Sequence, residues 1–525
     1  MPASPPTPNR AAVALRRASL ASLAPGVAVP DYDPASISPG IVHIGVGNFH
    51  RAHQAVYLDE LFAQGGGHAF GIVGAGIRDA DRAMREALER QDFLYTVVEQ
   101  DGPAALARIT ASMVGFVDPA DTRALVDTMA DARTRIVSLT ITEGGYCIDA
   151  ASGRFDPAHA AIIADATALA SLADDPCGGF AGGGKTRSTT PGHAGQPPHS
   201  AFAPIVAALA QRRAQRRGAF TVMSCDNLPG NGDAARAAIV GLAERIDRTL
   251  ARWIEVNAAF PNAMVDRITP ATTDTQRDEL RSRFGVDDAR PVFCEAFRQW
   301  VIEDHFCAGR PPLEDVGVTF VTDVHPHERM KIRILNGGHA AIAYPSALMD
   351  IALVHEAMAE PLVARFLSAL LVREVIPVVP PVPGVNLLEY KASVEHRFAN
   401  PAVGDTIRRL CLDGSNRQPK FIVPTIAARL ARGDRVDGLA LVSAAWCRYC
   451  RGITDSGAAI DANDDAWPRL AATARQAEGD PRAWLAMHDI YGDVGAHPVF
   501  AAAFGDALRV LAREGAMHAL ARYTG

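Results

Sequence analysis

The sequence predicts an α/β protein in which a doubly wound parallel sheet is followed by a mostly α-helical domain. Short apolar strands alternate with amphipathic helices up to about residue 225, as they do in parallel sheets with helices on both faces. Two glycines, Gly45 and Gly47, stand where the first strand ends and the first helix begins. Beyond about residue 325, helical spacing of apolar residues prevails and strand patterns become rare.

The individual elements follow from apolar periodicity. We predict strands at 41–47, 70–75, 95–99, 135–142 and 220–224, and helices at 49–62, 81–90, 119–130 and 205–213. The second half shows helical periodicity at 329–355, 361–375, 425–432, 444–451, 481–490 and 498–522.

The chain of 525 residues is too long for one hydrophobic core. We divide it into an N-terminal extension (1–37), an α/β domain (38–324) and a helical domain (325–525). The first 30 residues are rich in Ala, Pro, Ser and Arg and contain no acid, which faintly resembles a transit peptide. We interpret residues 1–37 as a flexible extension.

Composition excludes several classes of function. The net charge of −7 argues against nucleic acid or an anionic membrane as the main partner. No apolar run reaches the length of about 18 residues that a membrane span needs. Eight cysteines in so long a chain do not indicate a disulfide framework. The single Cys447-x-x-Cys450 pair is weak evidence for zinc, and we interpret it as buried thiols in a reducing cytoplasm.

Residues 175–200 are dense in Gly, Pro, Ser and Thr, and we interpret them as a flexible surface insertion. The stretch from Gly179 to Thr186 formally matches the phosphate-binding loop of nucleotide hydrolases. That loop needs a buried strand before it and a helix after it, and neither pattern is present here. We therefore expect no ATP site at Lys185.

The glycine pair predicts a dinucleotide site. Glycines let the backbone approach a pyrophosphate, and a following helix supplies backbone amides. The third glycine of the usual fingerprint is absent, because position 50 is His. Asp79, shortly after the second strand, could accept hydrogen bonds from the adenosine ribose and so favours NAD over NADP. A simple helix cap is the alternative role for Asp79, and the adjacent Arg78 could instead accept a 2′-phosphate.

The densest set of chemically useful groups runs from Glu328 to His339. If this stretch is an α-helix, its residues turn about 100° each, so Glu328, Asn336 and His339 lie roughly 60°, 140° and 80° from Lys331. All four then fit within one wide arc. A strand at 330–335 followed by an Asn-Gly turn is the alternative.

Such a set suits the oxidation of a secondary alcohol to a ketone. The hydroxyl must lose its proton while its oxygen gains negative charge, so a base and oriented hydrogen-bond donors are needed. A lysine in a dry pocket beside a cationic nicotinamide could have a lowered pKa and act as that base, whereas a solvated surface lysine is the alternative for Lys331. Zinc could serve instead, but we find no convincing ligand set. We interpret His325 and His327, which flank a proline, as solvated loop residues.

A second polar loop follows the strand at 220–224 and runs from Ser224 through Asp226 and Asn227 to Asn231. Loops at the carboxyl ends of strands line the ligand crevice of a doubly wound sheet. Asn227 is therefore a candidate for a second oxyanion donor, with a simple turn-forming asparagine as the alternative.

These residues belong to motifs through which the chain resembles the polyol-specific long-chain dehydrogenases and reductases. The motifs span about residues 38–525. They are Gly45-Val-Gly47-Asn-Phe49-His-Arg51-Ala-His53, Thr142-Glu-Gly-Gly-Tyr146, Ser224-Cys-Asp-Asn227-Leu-Pro, Met264-Val-Asp266-Arg-Ile-Thr-Pro270, Gln299-Trp-Val-Ile-Glu-Asp304, Lys331-Ile-Arg-Ile-Leu-Asn336-Gly-Gly-His339, Asp413-Gly-Ser-Asn-Arg-Gln-Pro-Lys420 and Tyr491-Gly-Asp493.

The resemblance implies a Rossmann-type N-terminal domain, a helical C-terminal domain and an active site between them. It implies Lys331 as the catalytic lysine, Asn227 and Asn336 as the oxyanion donors, and His339 as the residue that orients substrate. Glu328 and Asp266 would influence proton movement, and Arg409 and Lys420 are candidates for binding substrate hydroxyls. The predicted cofactor contacts are Ile44, Gly45, Val46, Gly47, Asn48, Phe49, His50, Arg51, Ala52, Asp79, Thr142 and Glu143.

The implied activity is NAD-dependent, metal-independent oxidation of a sugar alcohol to a ketose by a cytoplasmic monomer or homodimer. Two stretches, Cys225 to Pro229 and Asp413 to Lys420, most resemble the family members that convert D-mannitol to D-fructose. A reductase acting on fructuronate or tagaturonate is the alternative, as are dehydrogenases of arabinitol, sorbitol or xylitol. A nucleotide-binding sensor without turnover is a different class, and no catalytic group is missing that would favour it.

Overall fold

A five-stranded parallel sheet lies at the centre of the first of two units, Met1–Val324, and helices build the second, His325–Gly525. The structure is a computed structural model that describes residues 12–149, 153–173 and 198–525. Of the glycine-rich stretch at 175–200, residues 175–197, with the formal phosphate-loop match, lie outside the described residues. Ser200, at its end, is buried and bonded to Asp165.

The first unit contains the strands β1 Val13–Ala14, β2 Val27–Ala28, β3 Pro39–Ile44, β4 Gly71–Ala75, β5 Tyr95–Asp101, β6 Ala104–Thr110, β7 Met113–Phe116, β8 Ile136–Leu139, β9 Thr221–Ser224, β10 Ala263–Asp266, β11 Val286–Asp287, β12 Val292–Glu295, β13 Gln299–Glu303 and β14 Thr319–Val321. Its helices are α1 Asn48–Ala52, α2 Gln54–Ala63, α3 Asp79–Glu89, α4 Thr122–Ala130, α5 Ala160–Ala173, α6 Phe202–Ala214, α7 Asn231–Glu244, α8 Arg248–Asn257 and α9 Asp274–Glu279. A 3-10 helix covers Glu143–Tyr146 and a π-helix covers Leu280–Phe284.

The parallel sheet has the strand order β7-β4-β3-β8-β9, so β3 is central. Strands β4 and β7 are added on one side of β3, and strands β8 and β9 are added on the other side. Val42 and Ile44 of β3 face a core shared with α4, α6 and α7. Ile41 faces a second core, shared with α2. Burial on both faces explains the continuous apolar runs of these strands. The doubly wound sheet expected from the sequence is confirmed.

The strand expected at 95–99 does not join this sheet. It is β5, which pairs in an antiparallel manner with β6 in a separate four-stranded sheet of order β12-β5-β6-β2. Gly102 and Pro103 form the tight turn between β5 and β6, where Gly102 has a φ of +56°. Smaller sheets join β10, β13 and β14, and pair β1 with β11. The helix expected at 49–62 is also divided, because His53 takes φ −119° and ψ −88° between α1 and α2.

The expectation of a flexible extension through residue 37 is wrong for residues 12–37. Val13 pairs with Val286, and Val27 pairs with Ala107. Leu15 is only 1% exposed. Burying apolar side chains stabilises this segment, although its composition resembles that of a disordered region. Residues 1–11 lie outside the described residues.

The second unit is helical, and its elements begin with α10 His325–Met330, a π-helix Lys331–Asn336 and α11 Gly337–Leu348. The others are α12 Val354–Ala359, α13 Pro361–Leu370, a π-helix Leu371–Val375, α14 Leu387–Phe398, α15 Ile407–Cys411, α16 Gly414–Phe421, α17 Val423–Leu430, α18 Asp437–Tyr449, α19 Trp467–Ala477, α20 Arg482–Leu485, α21 His488–Tyr491 and α22 Pro498–Thr524. Within the described ranges, no helix combines the length and the apolar character needed to cross a bilayer.

Helices α11, α13, α18 and α22 pack around one core in this unit. The Trp446 and Trp484 rings meet edge to face there, with centroids 4.8 Å apart. This core supports α11 and therefore the residues directly before it in the chain.

Candidate active site

The turn after β3 is fixed by its own backbone. Gly45 has a φ of +100°, and a Cβ there would overlap the carbonyl oxygen of Thr140. The Gly45 amide donates to the carbonyl of Ala75 at 3.0 Å, and its carbonyl accepts from the Thr140 hydroxyl at 2.6 Å. Gly45 is therefore tied to the ends of both strands that flank β3, which a larger residue would not allow.

Gly47 differs, because packing within the unit does not require a glycine there. A Cβ at this position would meet nothing nearer than the carbonyl oxygen of Gly45, at 3.9 Å. Gly47 is exposed, has a negative φ and directly precedes α1. The open space beside its α-carbon fits the close approach of a phosphate group to the backbone.

Most side chains of the motif from Asn48 to His53 make contacts within the protein. Asn48 accepts a hydrogen bond from Arg51 and donates to the carbonyl of Pro270. The Arg51 guanidinium is buried and also donates to the carbonyl of Arg290. Phe49 stacks on the ring of His53. The remaining predicted cofactor contacts of this motif, Ile44, Val46, His50 and Ala52, have buried side chains.

Two neutral histidines, His43 and His50, pack beside the turn that contains Gly45. The rings of His43 and His50 stack with centroids 3.4 Å apart. Burial lowers the pKa of His43 to about 3, and burial together with the neighbouring His43 holds the pKa of His50 well below its usual range. His43 also lies 2.9 Å from the Thr140 hydroxyl and 2.8 Å from the Ser138 hydroxyl. His43 thus links β3 to β8, and its ring contacts His50 of α1, without adding charge.

Asp79 begins α3 just after β4, and its carboxylate is fully exposed. The helix is capped by another residue, Asp81, which accepts hydrogen bonds from the amides of Ile77 and Arg78 at 3.0 Å. The role of local cap is thus filled by Asp81, and the Asp79 carboxylate faces solvent with Arg82 at 3.9 Å.

The ends of β8 and β9 carry Thr142, Glu143 and Asn227, all exposed. Thr142 has an unusual backbone conformation, with φ +67° and ψ 162°. Its amide donates to the buried carboxylate of Asp226 at 2.7 Å. Burial raises the pKa of Asp226, while its hydrogen bonds from Tyr146 and two backbone amides oppose that shift. The sequence motifs contain Asp226 and Tyr146 but predict no role for either residue.

Asp266 is the last residue of β10 and is buried. Its neighbour Arg267 forms an ion pair with Glu99 at 2.6 Å and donates to the carbonyls of Ala52 and Glu295. The loop after β10 is therefore tied to α1 and to β12.

In the helical unit, Lys331 begins a π-helical turn that ends at Asn336. The sequence predicts regular α-helical geometry here, with a strand as the alternative, and the structure has neither over 331–336. A π turn contains one residue more than an α turn, so residues i and i+5 take the places of i and i+4. Lys331 and Asn336 are then roughly 40° apart rather than about 140°. By the same reasoning His339 lies within about 20° of Lys331.

Lys331 and Glu328 are 7% and 6% exposed, so both side chains are removed from bulk solvent. The prediction that His325 and His327 are solvated loop residues is wrong, because both lie in the first turn of α10 and His327 is buried. Pro326 is compatible with this helix because proline is tolerated in a first turn.

The His339 ring stacks on Phe398 with centroids 3.9 Å apart. Burial holds the pKa of His339 well below its usual range, and the cations Arg409, Arg397, Arg417 and Lys331 lower it further. The imidazole is therefore neutral and can accept or donate a hydrogen bond. The three arginines among these cations give its surroundings a positive potential.

The two candidates for binding substrate hydroxyls are exposed. Arg409 lies on α15 and forms an ion pair with Asp405. Lys420 lies on α16. Arg417 donates to the carbonyls of Arg409 and Leu410 and so joins the two helices.

The Cys447 and Cys450 thiols are free and buried, and burial raises the pKa of both. Among the cysteines in the described ranges, Cys307 alone is exposed.

Comparison with known proteins covers nearly the whole chain. The family model "Mannitol dehydrogenase Rossmann domain" matches residues 39–315, and "Mannitol dehydrogenase C-terminal domain" matches residues 323–512. A mannitol 2-dehydrogenase of Cereibacter sphaeroides is 55% identical over 495 residues, which are 94% of this chain and 98% of the relative.

Two solved structures share the fold. The Pseudomonas fluorescens mannitol 2-dehydrogenase in ternary complex with NAD and D-mannitol has a TM-score of 0.84 and 40% identity, covering 97% of this chain and 99% of that one. A D-sorbitol dehydrogenase in substrate-free form also has a TM-score of 0.84, with 33% identity, covering 96% of this chain and 100% of that one.

Proposed function

This chain belongs to the mannitol dehydrogenase family, and from that premise we propose that it oxidises a sugar alcohol to a ketose with NAD. The specific reaction is the conversion of D-mannitol to D-fructose. The observation that carries this proposal is the relation to a protein solved with NAD and D-mannitol, which extends over 97% of this chain.

The turn from Gly45 to Gly47 would hold the pyrophosphate, since Gly47 has free space beside its α-carbon. Asp79 would accept hydrogen bonds from the adenosine ribose, because its carboxylate is exposed at the start of α3, just after β4. Thr142 and Glu143 would contribute from the end of β8. When bound, the nicotinamide supplies the acceptor for the hydride that leaves the carbinol carbon.

Lys331 acts as the general base in this proposal. It takes the proton of the reacting hydroxyl as the carbonyl forms, and it returns a proton during ketose reduction. Its burial supports the role, because a desolvated amine is more easily held neutral than one in water. Glu328, also buried and one helical turn before Lys331, would carry that proton onward, together with Asp266.

Asn227 and Asn336 donate hydrogen bonds to the alcohol oxygen as its negative charge develops. The π turn supports this role for Asn336, since it brings Asn336 to nearly the same side of the helix as Lys331. His339 orients the substrate through a neutral imidazole. Arg409 and Lys420 bind hydroxyls farther along the sugar chain.

The direct test is Lys331→Ala, assayed for D-mannitol oxidation across pH. We expect turnover to fall on the order of 100-fold or more, as when a general base is removed, with the Kd for NAD nearly unchanged. Lys185→Ala is the control, and we expect full activity from it because we assign no function to the glycine-rich stretch. Near-normal turnover of Lys331→Ala would contradict the proposal, and NAD binding without any turnover of the wild type would indicate a sensor.

The cations around His339 favour a second candidate, a hexuronate reductase. Arg397, Arg409 and Arg417 all act on that imidazole, and a substrate carboxylate would gain from the same positive potential. Comparing NADH oxidation with D-fructose, D-fructuronate and D-tagaturonate decides between the two. We expect the highest kcat/KM with D-fructose, and D-sorbitol and D-arabinitol oxidation defines the breadth of the polyol site.

A further inference from the structure

The loop that carries Asn227 is held from both ends by buried polar side chains. Asp226, which directly precedes Asn227, is 7% exposed and uses both carboxylate oxygens. Oδ1 accepts from the Thr142 amide at 2.7 Å, and Oδ2 accepts from the Ile141 amide at 3.1 Å and the Tyr146 hydroxyl at 2.7 Å. One carboxylate therefore connects the ends of β8 and β9.

The hydrogen bonds of the Asp226 carboxylate begin where the backbone hydrogen bonds between β8 and β9 end. The last backbone hydrogen bond runs from the Cys225 amide to the carbonyl of Leu139 at 2.8 Å. Beyond it, Thr142 adopts a φ of +67°, a conformation that a β-branched residue rarely takes. Hydrogen bonds to an ionised acceptor are stronger than those between neutral groups, so the carboxylate can hold this strained backbone.

Tyr146 completes this end of the arrangement. Its hydroxyl is buried and lies 2.6 Å from the Ser224 hydroxyl as well as 2.7 Å from Asp226. The Asp226 amide in turn donates to Ser224 at 3.3 Å. The backbone on the N-terminal side of Asn227 is thus fixed to β8, to β9 and to the 3-10 helix that follows Thr142.

Asn231 holds the other end. Its side-chain amide donates to the Ala263 carbonyl at 2.7 Å and accepts from the Ala263 amide at 2.9 Å, as the backbone of a neighbouring strand would. It also donates to the carbonyl of Asp226 at 2.9 Å. Asn231 is fully buried. The segment 226–231 is therefore tied to the start of β10 as well, while Asn227 projects from it to the surface.

We propose that Asp226, with Tyr146 and Asn231, is a positioning residue that sets the place of the Asn227 amide without touching the substrate. This inference rests on the proposed role of Asn227 as an oxyanion donor. Oriented donors accelerate a reaction only while their geometry is maintained, and small displacements cost large factors in rate.

The test is Asp226→Asn, which keeps the shape of the side chain but replaces one acceptor oxygen by an amide donor. A backbone amide or the Tyr146 hydroxyl then faces a group that cannot accept. We expect kcat at saturating NAD to fall about 10-fold or more. We also expect the deuterium isotope effect on kcat, with D-mannitol deuterated at the oxidised carbon, to rise as hydride transfer becomes slower.

Asp165→Asn is a matched control in the same unit. Asp165 is 2% exposed and likewise accepts from two backbone amides and one hydroxyl, those of His199 and Ser200. We expect Asp165→Asn to lower the melting temperature as Asp226→Asn does, but to leave kcat and the isotope effect unchanged. If both variants have the same kcat as the wild type, Asp226 is a structural residue only and the inference is wrong.

A double variant separates this inference from the proposed function. If Asp226 acts through Asn227, Asp226→Asn combined with Asn227→Ala has the same kcat as Asn227→Ala alone. If the kcat loss of the double variant equals the product of the two single losses, the positioning role of Asp226 is wrong, but Asn227 can still be a donor. Normal kcat in Asn227→Ala would instead refute the proposed role of Asn227. Should Asp226→Asn not fold, Tyr146→Phe removes only one hydrogen bond to Asp226 and permits the same double-variant comparison.

Discussion

The Gly45 backbone and the Thr140 carbonyl are so close that no side chain fits between them, whereas Gly47, two residues later, has free space around its α-carbon. The two glycines of one motif therefore have different reasons to be glycine. Gly45 is needed by the fold, whereas the packing around Gly47 does not require a glycine, which fits its proposed place beside the pyrophosphate.

Gly47→Ala is expected to weaken NAD binding about 10-fold or more, because the new methyl group occupies the path of the pyrophosphate. The melting temperature should stay close to that of the wild type. Calorimetric titration with NAD and thermal unfolding measure the two effects separately.

Two further alanine variants serve as controls for Gly47→Ala. Gly45→Ala should lower stability as well as binding, since it combines strain with overlap. Gly309 has a φ of +79° and open space, so Gly309→Ala isolates the backbone strain, about 1–2 kcal/mol. Unchanged NAD affinity in Gly47→Ala would contradict the predicted placement of the pyrophosphate.

Asp79→Ser is expected to shift cofactor preference toward NADP. The variant removes the negative charge that repels a 2′-phosphate, and the adjacent Arg78 remains to attract it. We expect the ratio of kcat/KM for NAD to that for NADP to fall about 10-fold or more. Asp127→Ser, an exposed carboxylate on α4 beside Arg123, makes the same change in net charge and should leave the ratio unaltered.

Asn336 offers a test that distinguishes a donor from a packing residue. Asn336→Ala removes the donated hydrogen bond and should lower kcat on the order of 100-fold. Asn336→Asp has nearly the same shape but places negative charge where the oxyanion forms, so its loss should be larger still. If the aspartate variant were more active than the alanine variant, Asn336 would serve to pack the π turn rather than to donate.

The buried histidines make stability sensitive to acid. Burial lowers the pKa of His53 to about 3 in the folded protein. As pH falls through about 6.5, the unfolded chain binds a proton that the folded chain does not, so stability is lost as pH decreases.

His53→Gln should therefore make the fall in unfolding free energy between about pH 6 and pH 4 shallower, by about 1.4 kcal/mol per pH unit. Urea unfolding at several pH values measures this slope. His305→Gln, which alters an exposed ring, should leave the slope as it is. An equal slope in His53→Gln and the wild type would mean that His53 is already protonated in the folded chain.

Four of the five strands of the parallel sheet could be predicted, because β3, β4, β8 and β9 are mostly apolar and burial on both faces requires such runs. The fifth strand, β7, was not predicted. The π turn at Lys331 could not be predicted in this way. One additional residue in a helical turn leaves apolar spacing almost unchanged, yet it moves Asn336 by about 100° around the axis.

Apolar periodicity also could not predict contacts between residues that are distant in the sequence. The hydrogen bond of Asp226 to Thr142 joins residues 84 positions apart, and nothing local in the Ser-Cys-Asp-Asn stretch reveals it. β6 was not predicted, because Ala104, Ala105 and Ala107 give it a weak strand pattern. Resemblance to a family identified Lys331 and Asn227 as catalytic candidates, but it did not identify the buried groups that hold the loop of Asn227.

The ordered segment at 12–37 has a practical consequence for shortening the chain. The two residues of β2 cover the outer side of β6, a strand of seven residues. A protein beginning at residue 38 would leave those backbone groups open and uncover the apolar sites that Leu15 and Val27 fill. Open strand edges recruit other chains, so such a truncation invites aggregation in a region remote in sequence from the proposed catalytic lysine.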